Sequence, residues 1–106
     1  MKRRNLKATL KGITSKAELM SQLSTQLGFP EYFGANWDAL YDCLTDFGWL
    51  HSEVREVVLH HEDIPQLGAD ELITYRELLR QAAQQWEEGD TKVRLITHFP
   101  RGHEGR

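Results

Sequence analysis

The feature that most constrains the fold is a regular alternation of strand-like and helix-like segments. In three short segments apolar residues either alternate with polar ones or form a short apolar run, as in strands. In three longer segments they recur with a period near 3.6, as in helices. The predicted strands are residues 6–11, 56–60 and 92–97, and the predicted helices are residues 15–27, 37–46 and 70–88. No hairpin turn joins two strands, and strands joined through helices pair in parallel by right-handed crossovers. The sequence therefore predicts an α/β fold, a three-stranded parallel sheet with helices packed on one face.

Helix start and stop signals support these boundaries. Thr14 or Ser15 can cap the first helix, with Glu18 near its third position, and Gly28 ends it. Asn36 is a good cap for the second helix. The second helix is therefore expected to begin directly after Asn36.

Length and composition limit the class of protein. A chain of 106 residues is expected to form a single domain, residues 1–106, because it is too short for two independent cores. Residues 101–106 contain nothing that would join a core and are predicted to be a mobile tail. The formal net charge of -3 argues against sequence-independent nucleic-acid binding, which depends on a basic surface. A basic protein partner remains possible.

Cysteine usage and the first residues predict a cytoplasmic protein. Cys43 is the only cysteine, so no intramolecular disulfide can form, as expected in a reducing compartment. The basic start at residues 1–4 is followed by alternating polar and apolar residues and not by the apolar run of a signal peptide. We therefore predict no export signal and no membrane association.

The second predicted helix has an acidic and aromatic side. Asp38 and Asp42 are four residues apart, so they lie one above the other on the helix. They are next to Trp37 and Tyr41 and lie off the apolar stripe formed by Leu40 and Leu44. The helix dipole favours Asp38 in the first turn but not Asp42, and like charges at this spacing cost a few tenths of a kcal/mol. The pair therefore suggests a cationic partner. At this spacing Trp37 and Tyr41 could equally be core residues.

The segment from Pro30 to Thr45 resembles the signature of the barstar family, intracellular inhibitors of the ribonuclease barnase. The matching run is Pro30-Glu31-Tyr32-Phe33-Gly34-x-Asn36-x-Asp38-Ala39-Leu40-x-Asp42-Cys43-Leu44-Thr45. The resemblance implies a two-layer barstar-like fold and an inhibitory surface formed by this helix and the loop before it. The contact residues that it implies are Tyr32, Gly34, Asn36, Asp38 and Asp42. Tyr41 stands where barstar has a tryptophan, and Trp37 replaces a leucine.

The resemblance implies a partner and roles for these residues. The partner would be a barnase-like ribonuclease or a ribonuclease toxin, for which the chain would be the immunity protein. Asp42 would occupy the phosphate-binding cations of the nuclease, and Asp38 would pair with a neighbouring cation. Tyr32 and Trp37 would supply rigid contact area, and Gly34 would allow close approach of the backbone. Such an inhibitor needs no catalytic residue, metal or cofactor, and no direct nucleic-acid contact.

The last helix leaves one contact residue open. Barstar has a further interface glutamate late in this helix, and Gln84 aligns with it when residues are counted back from Gly89. Under other alignments Glu77, Glu87 or Glu88 could take its place. The sequence does not decide which of these residues, if any, joins the interface.

Two other classes of function compete with inhibition. His60, His61 and Asp63 follow the second strand and His98 follows the third. Since the carboxyl ends of parallel strands share one edge, these side chains could bind a metal or perform acid–base chemistry, although their spacing matches no known motif. Alternatively, the acidic and aromatic helix could dock on another basic protein as a regulatory module.

Overall fold

A computed structural model of the protein describes residues 5–30, 34–46, 54–88 and 93–100. The elements are, in order, β1 (Asn5–Leu10), α1 (Lys16–Leu27), α2 (Trp37–Thr45), β2 (Glu56–His61), α3 (Ala69–Glu88) and β3 (Arg94–His98). All six predicted elements are present, and each observed end lies within two residues of its predicted position. The predicted tail, residues 101–106, lies outside the described residues.

The strands form one parallel sheet in the order β1-β2-β3, as predicted. Val57 of the central strand lies beside Leu6 of β1 and Leu95 of β3. Burial alternates along β2, where Val57, Leu59 and His61 are buried and the residues between them are partly exposed. One face of the sheet therefore packs against the helices. No helix of the described ranges covers the other face, which we call the helix-free face.

Side-chain caps define the helix starts. The Ser15 hydroxyl accepts a hydrogen bond from the Glu18 backbone N–H at 3.1 Å. Thr14, the other predicted cap, instead donates from its own backbone N–H to the Glu18 carboxylate at 3.0 Å. Gly28, with a φ of 74°, ends α1 in the left-handed region, which a residue with a Cβ adopts only with strain. The predicted signals thus act at these positions, with Ser15 as the cap.

The core lies between the sheet and the helices. Every helix contributes to it, for example through Leu23 of α1, Leu44 of α2 and Leu79 of α3, and these pack in one cluster with Leu10 and Leu59 of the sheet. Each fully buried leucine stabilises the fold by roughly 1.5–3 kcal/mol. None of the helices within the described ranges is long and apolar enough to span a membrane.

Candidate protein-binding surface

Helix α2 is held between the core and solvent by its amphipathic pattern. Leu40 and Leu44 are completely buried, and α2 packs against α3. At the start of the helix the Asn36 side-chain oxygen accepts a hydrogen bond from the Ala39 N–H at 2.8 Å. This cap and the buried leucines fix the rotation of the helix, which leaves Asp38 and Asp42 exposed and Trp37 and Tyr41 half-buried beside them. We call Trp37, Asp38, Tyr41 and Asp42 the acidic-aromatic surface.

The two carboxylates of this surface are exposed and uncompensated. In the part of the chain that the structure describes, no hydrogen bond or ion pair reaches the carboxylate of Asp38 or Asp42. The charge of Asp42 also acts on the adjacent side chain of Cys43. Burial raises the pKa of the Cys43 thiol, and the charges of Asp42 and Asp46 raise it further. The surface therefore combines negative charge with free hydrogen-bond acceptors.

The aromatic residues of the surface are neither core nor fully exposed. Trp37 and Tyr41 are half-buried and pack against the core cluster. The Trp37 ring lies 6.2 Å from the Tyr75 ring, and the Lys16 ammonium lies 5.2 Å from its centroid. The sequence left open whether these aromatics are core or contact residues. In the structure each has one side packed inward and remains accessible on the other.

A groove of about 780 Å³ separates α2 from α3 and extends the surface beyond α2. Its walls are formed by Trp37, Asp38, Tyr41, Asp42, Ile73, Thr74, Glu77, Leu78 and Gln81. Ile73 is 66% exposed, although it is a large apolar side chain. The groove therefore offers apolar contact area beside the carboxylates.

The structure shows where the four candidate contact residues of the last helix lie. Glu77 lines the groove with Asp38 and Asp42. Gln84, Glu87 and Glu88 line a separate groove on the other side of α3, to which Glu77 also contributes. Hydrogen bonds from α3 neighbours lower the pKa of Glu77 to about 2, so this carboxylate is ionised at neutral pH. Glu77 thus adds a carboxylate to the groove, but its charge is paired with the Arg80 guanidinium, unlike the charges of Asp38 and Asp42.

The loop before α2 is shaped by two small residues. Ala35 has a φ of 55°, a left-handed conformation that is strained for any residue with a Cβ. Gly34 is exposed, and a Cβ at this position would lie 3.3 Å from Nδ2 of Asn36. Gly34 therefore leaves room for the side chain that caps α2. Tyr32, predicted as a contact residue, lies outside the described residues.

Sequence reasoning missed the contribution of the N-terminal half of α3. It named Glu77 only as one of four alternatives and did not name Ile73, Thr74, Leu78 or Gln81. One signal was available. Leu72, Tyr75 and Leu79 form the apolar stripe of this helix, and Ile73, which directly follows Leu72, falls off that stripe. An apolar residue off the stripe of an amphipathic helix is a candidate contact.

The histidines proposed for an enzymatic site lie on opposite faces of the sheet. His61 is buried among α3 and β3 residues, with its Nδ1 2.8 Å from the His98 carbonyl and its Nε2 2.8 Å from the Tyr75 hydroxyl. Because the carbonyl only accepts, Nδ1 carries the proton and Nε2 accepts from Tyr75. The Phe99 ring stacks on the imidazole at 4.0 Å. His60 and the His98 ring lie on the helix-free face, 6.2 Å apart.

Asp63 is also engaged elsewhere. Its carboxylate accepts hydrogen bonds from the Gly12 N–H at 3.2 Å, which ties the loop after β2 to the loop after β1. The four residues therefore do not converge on one point. No group of three or more His, Cys, Asp or Glu side chains in the described ranges is placed to hold a metal ion.

Comparison with known proteins shows the family of the chain. The family model described as "Barstar (barnase inhibitor)" matches residues 3–98. A protein of Bacillus subtilis (strain 168) named "Putative ribonuclease inhibitor YrdF" is 43% identical over 44 residues, which are 42% of this chain and 46% of that relative. The chain thus matches just under half the length of this relative. Since the family model spans almost all of the sequence, the chain belongs to the barstar family.

Proposed function

We propose that the protein inhibits a barnase-like ribonuclease by covering its active site with the acidic-aromatic surface. The observation that carries this proposal is the pair of exposed carboxylates of Asp38 and Asp42, to which the described part of the chain supplies no partner. The pair lies in the segment that matches the family signature. Family membership and the name of the relative support a role as a ribonuclease inhibitor.

The chemistry of RNA cleavage explains why carboxylates suit this role. A ribonuclease holds the phosphodiester with arginine, lysine and histidine side chains, and a carboxylate accepts hydrogen bonds from the same donors. Asp42 would occupy the phosphate position, and Asp38 would pair with a neighbouring cation. Glu77, whose carboxylate pairs with Arg80, would line the α3 side of the groove. The net charge of -3 would speed encounter with a basic active site.

The apolar part of the interface would come from residues already fixed by packing. Trp37 and Tyr41 are half-buried, so little side-chain entropy is lost when a partner covers them. Exposed Ile73 would add contact area beside them. From the loop, Tyr32 would supply a further aromatic contact, while Gly34 and Asn36 would contact the partner through backbone and amide groups.

The proposed role places the protein in the cytoplasm as the immunity protein of a ribonuclease toxin. There it would bind the nuclease without catalysing a reaction and without a cofactor. The single cysteine is consistent with a reducing compartment, because no intramolecular disulfide can form. Cys43 is buried and its thiol pKa is raised, so it is a poor nucleophile, as expected of a protein that catalyses nothing.

The test is an RNA-cleavage assay with a barnase-type ribonuclease. Wild-type protein should inhibit cleavage at equimolar concentration. The double variant Asp38→Asn with Asp42→Asn should lose inhibition. The matched control, Glu62→Gln with Asp70→Asn, removes the same net charge from exposed positions outside the groove and should inhibit like the wild type.

Two outcomes would contradict the proposal. If both double variants inhibit equally, inhibition does not depend on the acidic-aromatic surface. If the wild type leaves RNA cleavage unchanged with every barnase-type nuclease tested, the occluding role is wrong. In that case a regulatory partner other than a ribonuclease should be sought by capture on the wild-type protein and on the Asp38→Asn with Asp42→Asn variant.

A further inference from the structure

The two edges of the sheet differ in whether their outward backbone groups are hydrogen-bonded. Successive residues of an edge strand point their backbone groups alternately toward the neighbouring strand and away from it. On β1 the outward N–H and C=O of Thr9 both bond the Gln26 side chain at 2.8 Å. The next outward carbonyl, that of Lys11, accepts from the Gln22 side chain at 3.2 Å. Glutamines of α1 thus occupy the positions that another strand would take.

On β3 the described residues supply no comparable cover. The Arg94 N–H bonds the Arg55 carbonyl, so Arg94 and Ile96 point toward β2 and the residues between them point outward. The outward groups belong to Leu95 and Thr97. Within the described ranges, no hydrogen bond reaches these outward groups. Unpaired edge groups of this kind are ready to pair with another strand.

The surface of α3 beside this edge has a self-complementary charge pattern. A groove of about 980 Å³ lies between α3 and the end of β3. The α3 residues along it include Ile73, Arg76, Arg80, Ala83 and Glu87, at spacings of three and four. Along this stripe Arg76 and Arg80 are basic, Ala83 is small and Glu87 is acidic. Glu77 also lines the groove, where its carboxylate pairs with Arg80. An antiparallel copy of the same helix would place opposite charges against each other.

We propose that a second copy of this chain binds here, with β3 pairing antiparallel to β3 of the first copy across a two-fold axis. The two sheets would then join into one of six strands. Leu95 of each copy would exchange backbone hydrogen bonds with Thr97 of the other. Ile96 would face its counterpart at the axis as a β-branched cross-strand pair.

The two α3 helices would flank this junction and run antiparallel. Ala83 would lie near their closest approach, and Arg80 of each copy would face Glu87 of the other. Within one copy Arg80 pairs with Glu77, and both side chains are largely exposed, so this weak pair can be exchanged. Asp38 and Asp42 are not part of this groove. Ile73 and Glu77, however, line both grooves, so the two proposed interfaces share these residues, and of the carboxylates only those of Asp38 and Asp42 belong to the inhibitory surface alone.

Molar mass and amide exchange test the proposal together. Light scattering over a series of concentrations should show a shift from 12.3 kDa toward twice that mass. Hydrogen exchange followed by NMR should show the Leu95 and Thr97 amides becoming protected over the same range, while the Gln26-bonded amide of Thr9 does not change. A mass of 12.3 kDa up to the solubility limit would overturn the proposal, as would a dimer in which these amides stay unprotected.

Charge reversals on the exposed side of α3 test the arrangement without disturbing the core. Arg80→Glu or Glu87→Arg alone should raise the dissociation constant of the dimer by about tenfold, since two symmetric pairs change together. The combination of both reversals should restore association. Gln85→Glu, an exposed change on α3 outside both grooves, is the matched control and should have no effect. If the single reversals leave the dissociation constant unchanged, the helices do not meet as proposed.

Discussion

Two polar regions of this molecule differ in how completely their groups are satisfied. In the cluster of His61, Tyr75 and Phe99, both imidazole nitrogens have a partner at 2.8 Å and a ring stacks on the imidazole. On the acidic-aromatic surface, the carboxylates of Asp38 and Asp42 receive no partner from the described part of the chain. Satisfied buried groups stabilise the fold, whereas unsatisfied exposed charges are available to another molecule.

This difference predicts that stability and binding can be separated by mutation. Changes in the cluster should act on the free energy of unfolding and leave partner affinity alone. Changes to the carboxylates should do the reverse. The proposed function requires that loss of the carboxylates weakens binding without weakening the fold.

The largest expected effect is that of Asp42→Ala on inhibition. In a complex, Asp42 would be buried against the cations of the nuclease, and truncating one partner of such a pair costs on the order of 2–5 kcal/mol or more, mostly through faster dissociation. Since Asp42 is exposed and is repelled by Asp38, its loss should change the free energy of unfolding by less than about 1 kcal/mol. Inhibition constants and thermal melts of the variant and wild type measure the two effects.

The comparison would fail in either of two ways. If Asp42→Ala inhibits as strongly as the wild type, Asp42 is not the phosphate mimic. If it loses inhibition only because it unfolds, the surface carboxylate is needed for folding and the separation is wrong.

The next effect is a pH dependence of stability that originates at His61. Burial lowers the pKa of His61 in the folded protein to about 4, against 6.5 in an unfolded chain. Between these values the unfolded state binds more protons than the folded state, so stability falls as the pH falls. The free energy of unfolding should decrease by about 3 kcal/mol across this window, and lowering the pH further should add nothing from His61.

Urea unfolding at a series of pH values measures this loss, with His61→Gln as the reference. The variant lacks the titrating group and should have lower stability at neutral pH but a flatter profile between pH 6.5 and 4. Parallel profiles for the two proteins would show that His61 is not the group responsible.

A smaller effect is expected for Tyr75→Phe. The change removes the hydroxyl that donates to His61 Nε2 and leaves this buried acceptor without its partner. The free energy of unfolding should fall by about 1–3 kcal/mol. The inhibition constant should not change, because the lost hydrogen bond lies inside the core. An equal loss of inhibition would show that the cluster and the surface are coupled, for example through the Trp37 ring packed against Tyr75.

Much of the fold was predictable because local patterns and tertiary packing agree. Alternating burial in β1 and β2, the caps at Ser15 and Asn36 and the stop at Gly28 all act where the sequence places them. The parallel sheet followed from the absence of hairpin signals between strands. These features depend on neighbouring residues, and their periodicity is visible in a single sequence.

The assembled surface was predictable only in part. The α2 residues were identified because they are adjacent in sequence and match a family segment. Periodicity places Ile73 off the apolar stripe of α3, but it does not show that this side of α3 lies beside Asp38 and Asp42 of α2. That juxtaposition is a tertiary contact between distant segments. The burial and hydrogen bonding of His61 were not predictable either, because its partners Tyr75 and His98 are 14 and 37 residues away in sequence.

The smallest expected effect is that of salt, and it distinguishes the two regions most directly. The Debye length is about 10 Å at 0.1 M ionic strength and about 3 Å at 1 M, so salt screens exposed charges but not a neutral buried cluster. Raising ionic strength should therefore slow association with the ribonuclease far more than it speeds dissociation. The step in stability assigned to His61 should keep its size. Stopped-flow rates and pH-dependent unfolding at low and high salt measure both quantities. Association rates that do not respond to salt would remove electrostatic steering by Asp38 and Asp42 from the mechanism, even if both residues contact the partner in the complex.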